Sequence, residues 1–219
     1  MHLSPSTGAI ILAAGSSSRM GAGRHKLLLP LAGRPVLEHV IEATLASQAR
    51  PIIIVLGHKA NQVRSHINAY AGHPGVTIVE NARYLQGMST SLHAGLHALM
   101  AMGNTQTPPA PEVGSTLVIL GDQPLMTTTI IDTLIATWQV TGKRIVAPLY
   151  DGRRGNPVLF DASLFAELLQ TTGDEGGRSV IERHHQDIAA VEIGNATASF
   201  DVDTWEAYQQ VLQIWENKN

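Results

Sequence analysis

The chain has 219 residues, of which 44% are hydrophobic and 15% are charged, and its formal net charge is −3. This composition is typical of a folded globular protein and excludes a disordered one, while the weak negative charge argues against a broad nucleic-acid-binding surface. The absence of cysteine excludes disulfides, thiolate metal sites and a cysteine nucleophile. We therefore expect one domain, residues 1–219, with a sizeable core.

The first predicted element is a buried strand at residues 10–14. Its apolar run, residues 8–14, is shorter than most signal-peptide cores, and no Lys or Arg precedes it. No apolar run approaches the ~20 residues that a membrane-spanning helix needs. We therefore expect a cytoplasmic protein with neither a membrane nor a nucleic acid as its partner.

A loop rich in glycine and serine follows this strand at residues 15–26 and carries the cations Arg19, Arg24 and Lys26. Small residues allow backbone N–H groups to approach an anion, and the cations add positive charge, so the loop is typical of a polyphosphate site. It has neither the glycine-lysine-Ser/Thr ending of a P-loop nor the third glycine of a dinucleotide fingerprint. The alternative is a glycine-rich connection with solvated cations.

Strand and helix patterns alternate along the next part of the chain. Continuous apolar runs indicate strands that are covered on both faces, as in a parallel sheet. The predicted strands are residues 52–56, 76–79, 116–120 and 145–147, and the predicted helices are residues 35–45, 59–70, 92–100 and 127–140. We predict an α/β fold, a three-layer α/β/α sandwich with a mostly parallel, Rossmann-like sheet.

The pattern loosens after residue 150. Residues 155–160 predict a strand of different direction, the apolar spacing predicts a C-terminal helix from about Asp203, and residues 103–114 predict a Pro-rich surface loop. In such sheets the ligand binds beyond the carboxyl ends of the strands. We therefore expect convergence of the four loops at residues 15–26, 57–59, 81–91 and 121–124.

Acidic residues are expected near the place where that ligand would bind. Asp122 comes directly after a buried strand, and a carboxylate held in a ligand crevice often faces a cation. Mg²⁺ suits such a place because it takes one or two carboxylates and completes its octahedron with water and phosphate. Asp201 and Asp203 lie on one side of an extended segment, so one of them can join Asp122. The alternatives are helix caps, most plausibly for Asp203.

Seven short motifs occur in order: LAAGSSSRMG, KLLLPLAGRPVLEHV, VENARYLQGMSTSLHAGL, GDQPL, GNPVLF, GDEGGR and FDVDT. Together they resemble the molybdenum cofactor cytidylyltransferases, a family of the nucleotidyltransferase superfamily with a glycosyltransferase-A-like fold, over residues 9–212. The resemblance implies transfer of CMP from CTP to the terminal phosphate of molybdopterin, with release of pyrophosphate. It also implies Mg²⁺ as the cofactor and a molybdoenzyme as a candidate recipient.

The resemblance also implies roles for individual residues. Arg19 and Lys26 correspond to cations that bind the triphosphate and act in catalysis together with Asp122. The metal ligands correspond to Asp122, Asp201 and Asp203, where Asp201 and Asp203 match paired positions that serve as metal ligands or as acceptor-substrate contacts. The remaining nucleotide-binding positions are Leu12, Ala13, Ala14, Gly15, Gly87 and Ser91, where Gly87 allows close approach to the nucleotide. The acceptor-substrate positions are Asn156, Pro157, Asp174 and Arg178.

The base preference depends on Ala14. Related guanylyltransferases tend to have Leu-Ala-Gly-Gly at this place, and the methyl group of Ala14 would narrow the space for a purine. Three alternatives stay open: a guanylyltransferase of the molybdenum cofactor, a sugar- or alditol-phosphate nucleotidyltransferase, and a non-catalytic accessory protein that binds nucleotide or cofactor.

Two positions depart from the family pattern. Two additional residues lie between Gly21 and Lys26, which raises the question of whether Arg24 shares the role of Arg19. Trp205 stands where the family commonly has proline. Among the histidines, only His58 is expected at a strand end that faces the site.

Overall fold

The computed structural model describes residues 5–21, 23–102, 112–194 and 196–217. Within these ranges, a sheet of eight strands, a two-stranded ribbon and seven α-helices make up the fold. The strands are β1 (Ser6–Ala13), β2 (Pro30–Leu31), β3 (Arg34–Pro35), β4 (Ile52–Leu56), β5 (Val76–Glu80), β6 (Val113–Leu120), β7 (Ile145–Tyr150), β8 (Arg153–Arg154), β9 (Val158–Asp161) and β10 (Ile188–Glu192). The helices are α1 (Val36–Ala46), α2 (Ala60–His66), α3 (Met88–Met102), α4 (Thr128–Thr141), α5 (Phe165–Leu168), α6 (Arg178–Arg183) and α7 (Trp205–Glu216).

The main sheet is mostly parallel and has the order β10-β7-β9-β6-β1-β4-β5, with β8 paired to β7. β1 runs parallel to both β4 and β6, and β10 runs parallel to β7. β9 is antiparallel to both of its neighbours, β6 and β7. The predicted α/β class, the parallel sheet and the reversed strand after residue 150 are therefore confirmed.

Helices cover both faces of the sheet because its strands are apolar on both sides. On β1, Ile11 faces the core beneath α1, α2 and α4, whereas Ile10 faces the core beneath α3, α5 and α6. Both side chains are fully buried, and burying one such side chain stabilises the fold by about 1.5–3 kcal/mol. A third, smaller cluster packs α7 against the region after β1 and includes Met20, Leu31 and Val202.

Several boundaries differ from the sequence predictions. β6 begins at Val113, inside the predicted loop, and residues 103–111 of that loop lie outside the described residues. β10 was not predicted, since it is a half-buried edge strand without a strong apolar pattern. α7 is capped by Thr204, whose Oγ1 accepts a hydrogen bond from the N–H of Ala207 at 3.1 Å, so Asp203 is not the cap. In the described part of the chain no helix is long and apolar enough to span a membrane.

Candidate active site

A cavity of about 630 Å³ lies beyond the carboxyl ends of β1 and β6. Three of the four loops expected to converge contribute to its wall. The fourth, residues 57–59, packs behind the wall, where the N–H of His58 donates to the carbonyl of Ala14 at 3.1 Å. The predicted site residues that line the cavity are Leu12, Ala13, Ala14, Gly15, Arg19, Lys26, Gly87, Ser91, Asp122, Asp174, Asp201 and Asp203.

The loop after β1 closes on itself before Lys26. The backbone N–H of Lys26 donates to Oγ of Ser17 at 3.1 Å, and Ser17 adopts a left-handed conformation with φ of 55°. A short 3-10 turn, Ser18–Met20, follows, and its Met20 side chain is buried in the third cluster. The neighbouring Arg19 stays exposed and faces the cavity. The loop therefore presents serine hydroxyls and cations on one side while an apolar anchor holds the other.

Lys26 is held between two carboxylates. Its Nζ lies 2.5 Å from Oδ2 of Asp122 and 2.7 Å from Oδ1 of Asp203. Burial would lower the pKa of Lys26, but the charges and hydrogen bonds of the two aspartates outweigh burial and raise its pKa above the ordinary value. Asp203 also pairs with Nη2 of Arg19 at 3.0 Å. Two cations and two anions thus balance one another at the base of the cavity.

Asp201 completes the acidic group. Its Oδ1 accepts a hydrogen bond from Nε2 of Gln123 at 2.6 Å. Burial, and then the nearby charge of Asp122, raise the pKa of Asp201 to about 6. In the residues that the structure describes, no group of three or more His, Asp or Glu side chains has the arrangement of a metal cage. Asp122 and Asp203 therefore hold one lysine between them while Asp201 is paired with Gln123, and the metal-ligand assignment of Asp122, Asp201 and Asp203 stays a prediction.

The opposite wall is formed by the start of α3 and the segment before α6. A Cβ atom on Gly87 would lie only 2.3 Å from the carbonyl carbon of Gly173, so glycine is needed here because two backbones touch. Asp174 accepts a hydrogen bond from the N–H of Met88 at 3.1 Å. Ser91 is buried and accepts from Nδ2 of Asn81 at 2.9 Å. The close approach that the sequence assigned to the nucleotide at Gly87 is thus, in this structure, one between two chain segments.

The other predicted acceptor residues do not line the cavity. Asn156 and Pro157 are joined by a cis peptide bond just before β9, and the carbonyl of Asn156 accepts a hydrogen bond from the hydroxyl of Tyr150 at 2.8 Å. Arg178 is exposed at the first position of α6. Of the four acceptor positions, the structure brings only Asp174 into contact with the cavity, and the acceptor role of all four stays a prediction.

The fold and the position of this cavity can be compared with those of known proteins. The MobA-like NTP transferase domain family matches residues 9–188. The chain belongs to this family. It is 30% identical, over 89% of its length and 90% of the relative's, to the molybdenum cofactor cytidylyltransferase of Escherichia coli strain K12. The chain is a nucleotidyltransferase, with the cavity at the position that this class of fold predicts for the nucleotide.

Other relatives show how widely the fold is used. The nicotine blue oxidoreductase of Paenarthrobacter nicotinovorans is 29% identical and covers 95% of this chain, which itself covers 97% of that protein. A Mycobacterium sp. strain JC1 homologue of Rv0371c superposes with a TM-score of 0.77 at 26% identity, covering 97% of this chain and 98% of its own. Rv0371C of Mycobacterium tuberculosis, with 24% identity, a TM-score of 0.71 and coverage of 95% and 98%, was solved as a manganese complex. Membership of the family therefore leaves the substrate of this MobA-like transferase open.

Several residues of the MobA-like site were not singled out from the sequence. Ser17, Tyr84 and Gln123 stand within motifs that were recognised, but their side-chain roles depend on loop geometry that a motif does not show. His58, expected to face the site, lies behind the wall, and its Nδ1 is 3.3 Å from the hydroxyl of Tyr84. Arg24 does not line the cavity. Its guanidinium group stacks over Trp205, with the guanidinium carbon 4.1 Å from the ring centroid.

Proposed function

We propose that this MobA-like transferase is a molybdenum cofactor cytidylyltransferase, which transfers CMP from CTP to the terminal phosphate of molybdopterin and releases pyrophosphate. The observation that carries the proposal is one cavity that joins the Ala14–Gly15 backbone to Lys26 and Asp122. The similarity over nearly the whole chain to a relative of that name supports the same reaction.

The wall at Ala14 supports a small base. Ala14 is buried, and a Cβ atom added to Gly57 would lie 2.7 Å from the Ala14 methyl group, so the methyl group is backed by the next loop and has little room to retreat. A fixed methyl group at the cavity wall leaves less space for a purine than glycine would. Cytosine is therefore the base that we assign.

The residues at the base of the cavity suit phosphoryl chemistry. An oxygen of the acceptor phosphate forms a bond to the α-phosphorus of CTP, and the bond from that phosphorus to the bridging oxygen breaks, so its electron pair leaves with pyrophosphate. Such a transfer requires positioning and charge stabilisation rather than a nucleophilic side chain. Lys26 and Arg19 would exchange part of their contact with Asp203 for the phosphate oxygens. This places positive charge where negative charge accumulates.

The same donor set fits a divalent cation. The ammonium group of Lys26 already occupies a position between the carboxylates of Asp122 and Asp203, which shows that oxygen donors converge on a cation there. We propose that Asp122 holds Mg²⁺ together with Asp201 or Asp203, with water and the nucleotide phosphates as the other ligands. When bound, the metal would neutralise charge on the phosphates.

A nucleotide panel tests the proposal. Pure protein is incubated with CTP, GTP, ATP or UTP and Mg²⁺, with or without molybdopterin, and pyrophosphate is measured. We expect release with CTP only when molybdopterin is present. A preference for GTP would contradict the cytidine assignment, and release with a sugar or alditol phosphate instead of molybdopterin would contradict the acceptor. Nucleotide binding without any release would indicate an accessory protein.

A further inference from the structure

The loop that follows β1 carries three cations, Arg19, Arg24 and Lys26, that contact Asp203 or the start of α7. Asp203 pairs with Arg19 at 3.0 Å and with Lys26 at 2.7 Å. Two residues further on, the ring of Trp205 lies under the guanidinium of Arg24 at 4.1 Å. The ion pairs involve residues that face the cavity, whereas neither Arg24 nor Trp205 lines it. The stacked pair therefore joins the loop to α7 from outside the site.

The α7 side of this contact is firmly anchored. Trp205 packs against Tyr208 with 5.2 Å between ring centroids, and the hydroxyl of Tyr208 donates to the carbonyl of Pro30. The N–H of the buried Val202 donates to the carbonyl of Asp122 at 2.9 Å. A side chain that stacks on Trp205 is thus tied to the segment after the loop and to the end of β6.

The loop side of this contact is exposed. Arg24 lies exposed between Gly21 and Lys26, and a Cβ atom added to Gly23 would meet no atom within 4 Å. The stack on Trp205 therefore gives this part of the loop a contact with α7. A cation over the face of tryptophan is attracted by the ring's electrons.

We propose that Arg24 and Trp205 are positioning residues. They hold the loop that follows β1 against α7, so that Arg19 and Lys26 are in place for the nucleotide phosphates. Neither residue touches the nucleotide itself. The proposal requires only nucleotide binding, which any nucleotidyltransferase shares, and so it does not depend on CTP or molybdopterin being the substrates.

The test is a double-mutant cycle on nucleotide affinity. Arg24→Ala, Trp205→Leu and the double variant are compared for the Kd of whichever nucleotide binds wild-type protein best, and for KM and kcat where turnover is measured. We expect each single variant to weaken binding roughly two- to fivefold, as expected for loss of one exposed cation–π contact. The double variant should be no weaker than the singles. Trp205→Phe, which keeps an aromatic face, should restore most of the affinity, and Arg64→Ala on α2 is the matched control.

Different results would overturn the proposal. If Arg24→Ala weakens binding equally in the wild-type and Trp205→Leu backgrounds, Arg24 contacts the nucleotide directly and the stack has no role. If Trp205→Phe is as weak as Trp205→Leu, the aromatic face is not what matters. Thermal unfolding identifies any Trp205 variant that fails to fold, and the exposed Arg24→Ala, which removes no buried group, still decides the question through its effect on Kd.

Discussion

The two halves of the sheet reach the cavity in different ways. In the first half, β1, β4 and β6 run parallel, so the loops that follow them leave from the same edge; those after β1 and β6 line the site, and the loop after β4 packs behind its wall. In the second half, β9 runs antiparallel between β6 and β7, so the segment that precedes it lies at this edge instead. Asn156 and Pro157 stand there, beside the end of β6 but outside the cavity lining. The loops after β1 and β6 therefore form a wall on the side proposed for the nucleotide, whereas the segment before β9, on the side proposed for the acceptor, stays outside the cavity lining.

The largest effect should come from the nucleotide side. Lys26→Ala removes the cation that we propose binds the phosphates, and we expect kcat/KM to fall about 10²- to 10³-fold, as when a preorganised charge-stabilising group is lost. It also leaves Asp122, whose side chain is 13% exposed, without its partner, which should cost about 3 kcal/mol of unfolding free energy.

Steady-state kinetics and urea denaturation check both parts of this prediction. Lys143→Ala, at the amino end of β7 and thus at the opposite edge of the sheet, is the control and should retain full activity. If kcat/KM of Lys26→Ala stays within tenfold of the wild-type value, Lys26 does not provide the charge stabilisation that we propose.

The contact within the opposite wall, between the start of α3 and the segment before α6, should give the next largest effect. Gly87→Ala would place a methyl group 2.3 Å from the carbonyl carbon of Gly173 at a backbone φ of +110°. We expect a loss of more than about 3 kcal/mol in unfolding free energy, because the clash adds to backbone strain of about 1–3 kcal/mol. Gly33→Ala has φ of +80° but no atom within 4 Å, and it should show the strain alone. Equal losses in the two variants would remove the close contact as the reason for glycine at 87.

The sequence predicted which residues follow the strand ends, but it did not predict the contacts between the loops. Lys26 and Asp122 are 96 residues apart, yet the sequence placed both at one site because each follows a buried parallel strand. That Asp203 would hold Lys26 across 177 residues was not predictable, because the pairing depends on how α7 returns to the loop. The contact of Gly87 with Gly173 likewise requires the path of an irregular segment, for which no periodicity exists. Strand ends can be located by pattern, but the contacts between the loops cannot.

A variant of Arg178 tests the proposed acceptor side of the site. It stays a predicted ligand of the acceptor phosphate although it is exposed and outside the cavity lining. If the acceptor extends from the cavity to α6, Arg178→Ala should raise the KM for molybdopterin about tenfold, the loss expected for one charge-assisted hydrogen bond, and leave the KM for CTP unchanged. Arg183→Ala, on the same helix but paired with Glu167, is the control. An unchanged acceptor KM would confine the acceptor to the Asp174 side.

The smallest effect concerns the core that supports the nucleotide side. His39 is buried on α1, where its ring packs against Trp215 and its Nε2 donates to the carbonyl of Leu31 at 2.8 Å. Burial is the main reason that its pKa is lowered, and nearby Arg34 acts in the same direction, while the hydrogen bond to Leu31 and then Glu38 and Glu42 oppose it. At His39 the unfolded chain therefore binds more protons on acidification than the folded one.

The contribution of His39 to stability should consequently fall as the pH drops from 7 through the ordinary histidine pKa of about 6.5, and be retained above it. His39→Gln keeps a donor for Leu31 but cannot take up a proton, so its urea midpoint should decline less between pH 7 and 5 than that of wild type. The decline should not vanish, because burial also lowers the pKa of His25 and His93. The exposed His66→Gln should follow the wild-type curve. If the urea midpoints of His39→Gln and wild type decline in parallel with pH, protonation of His39 does not weaken the packing of α1 and α7 beneath the loop that follows β1.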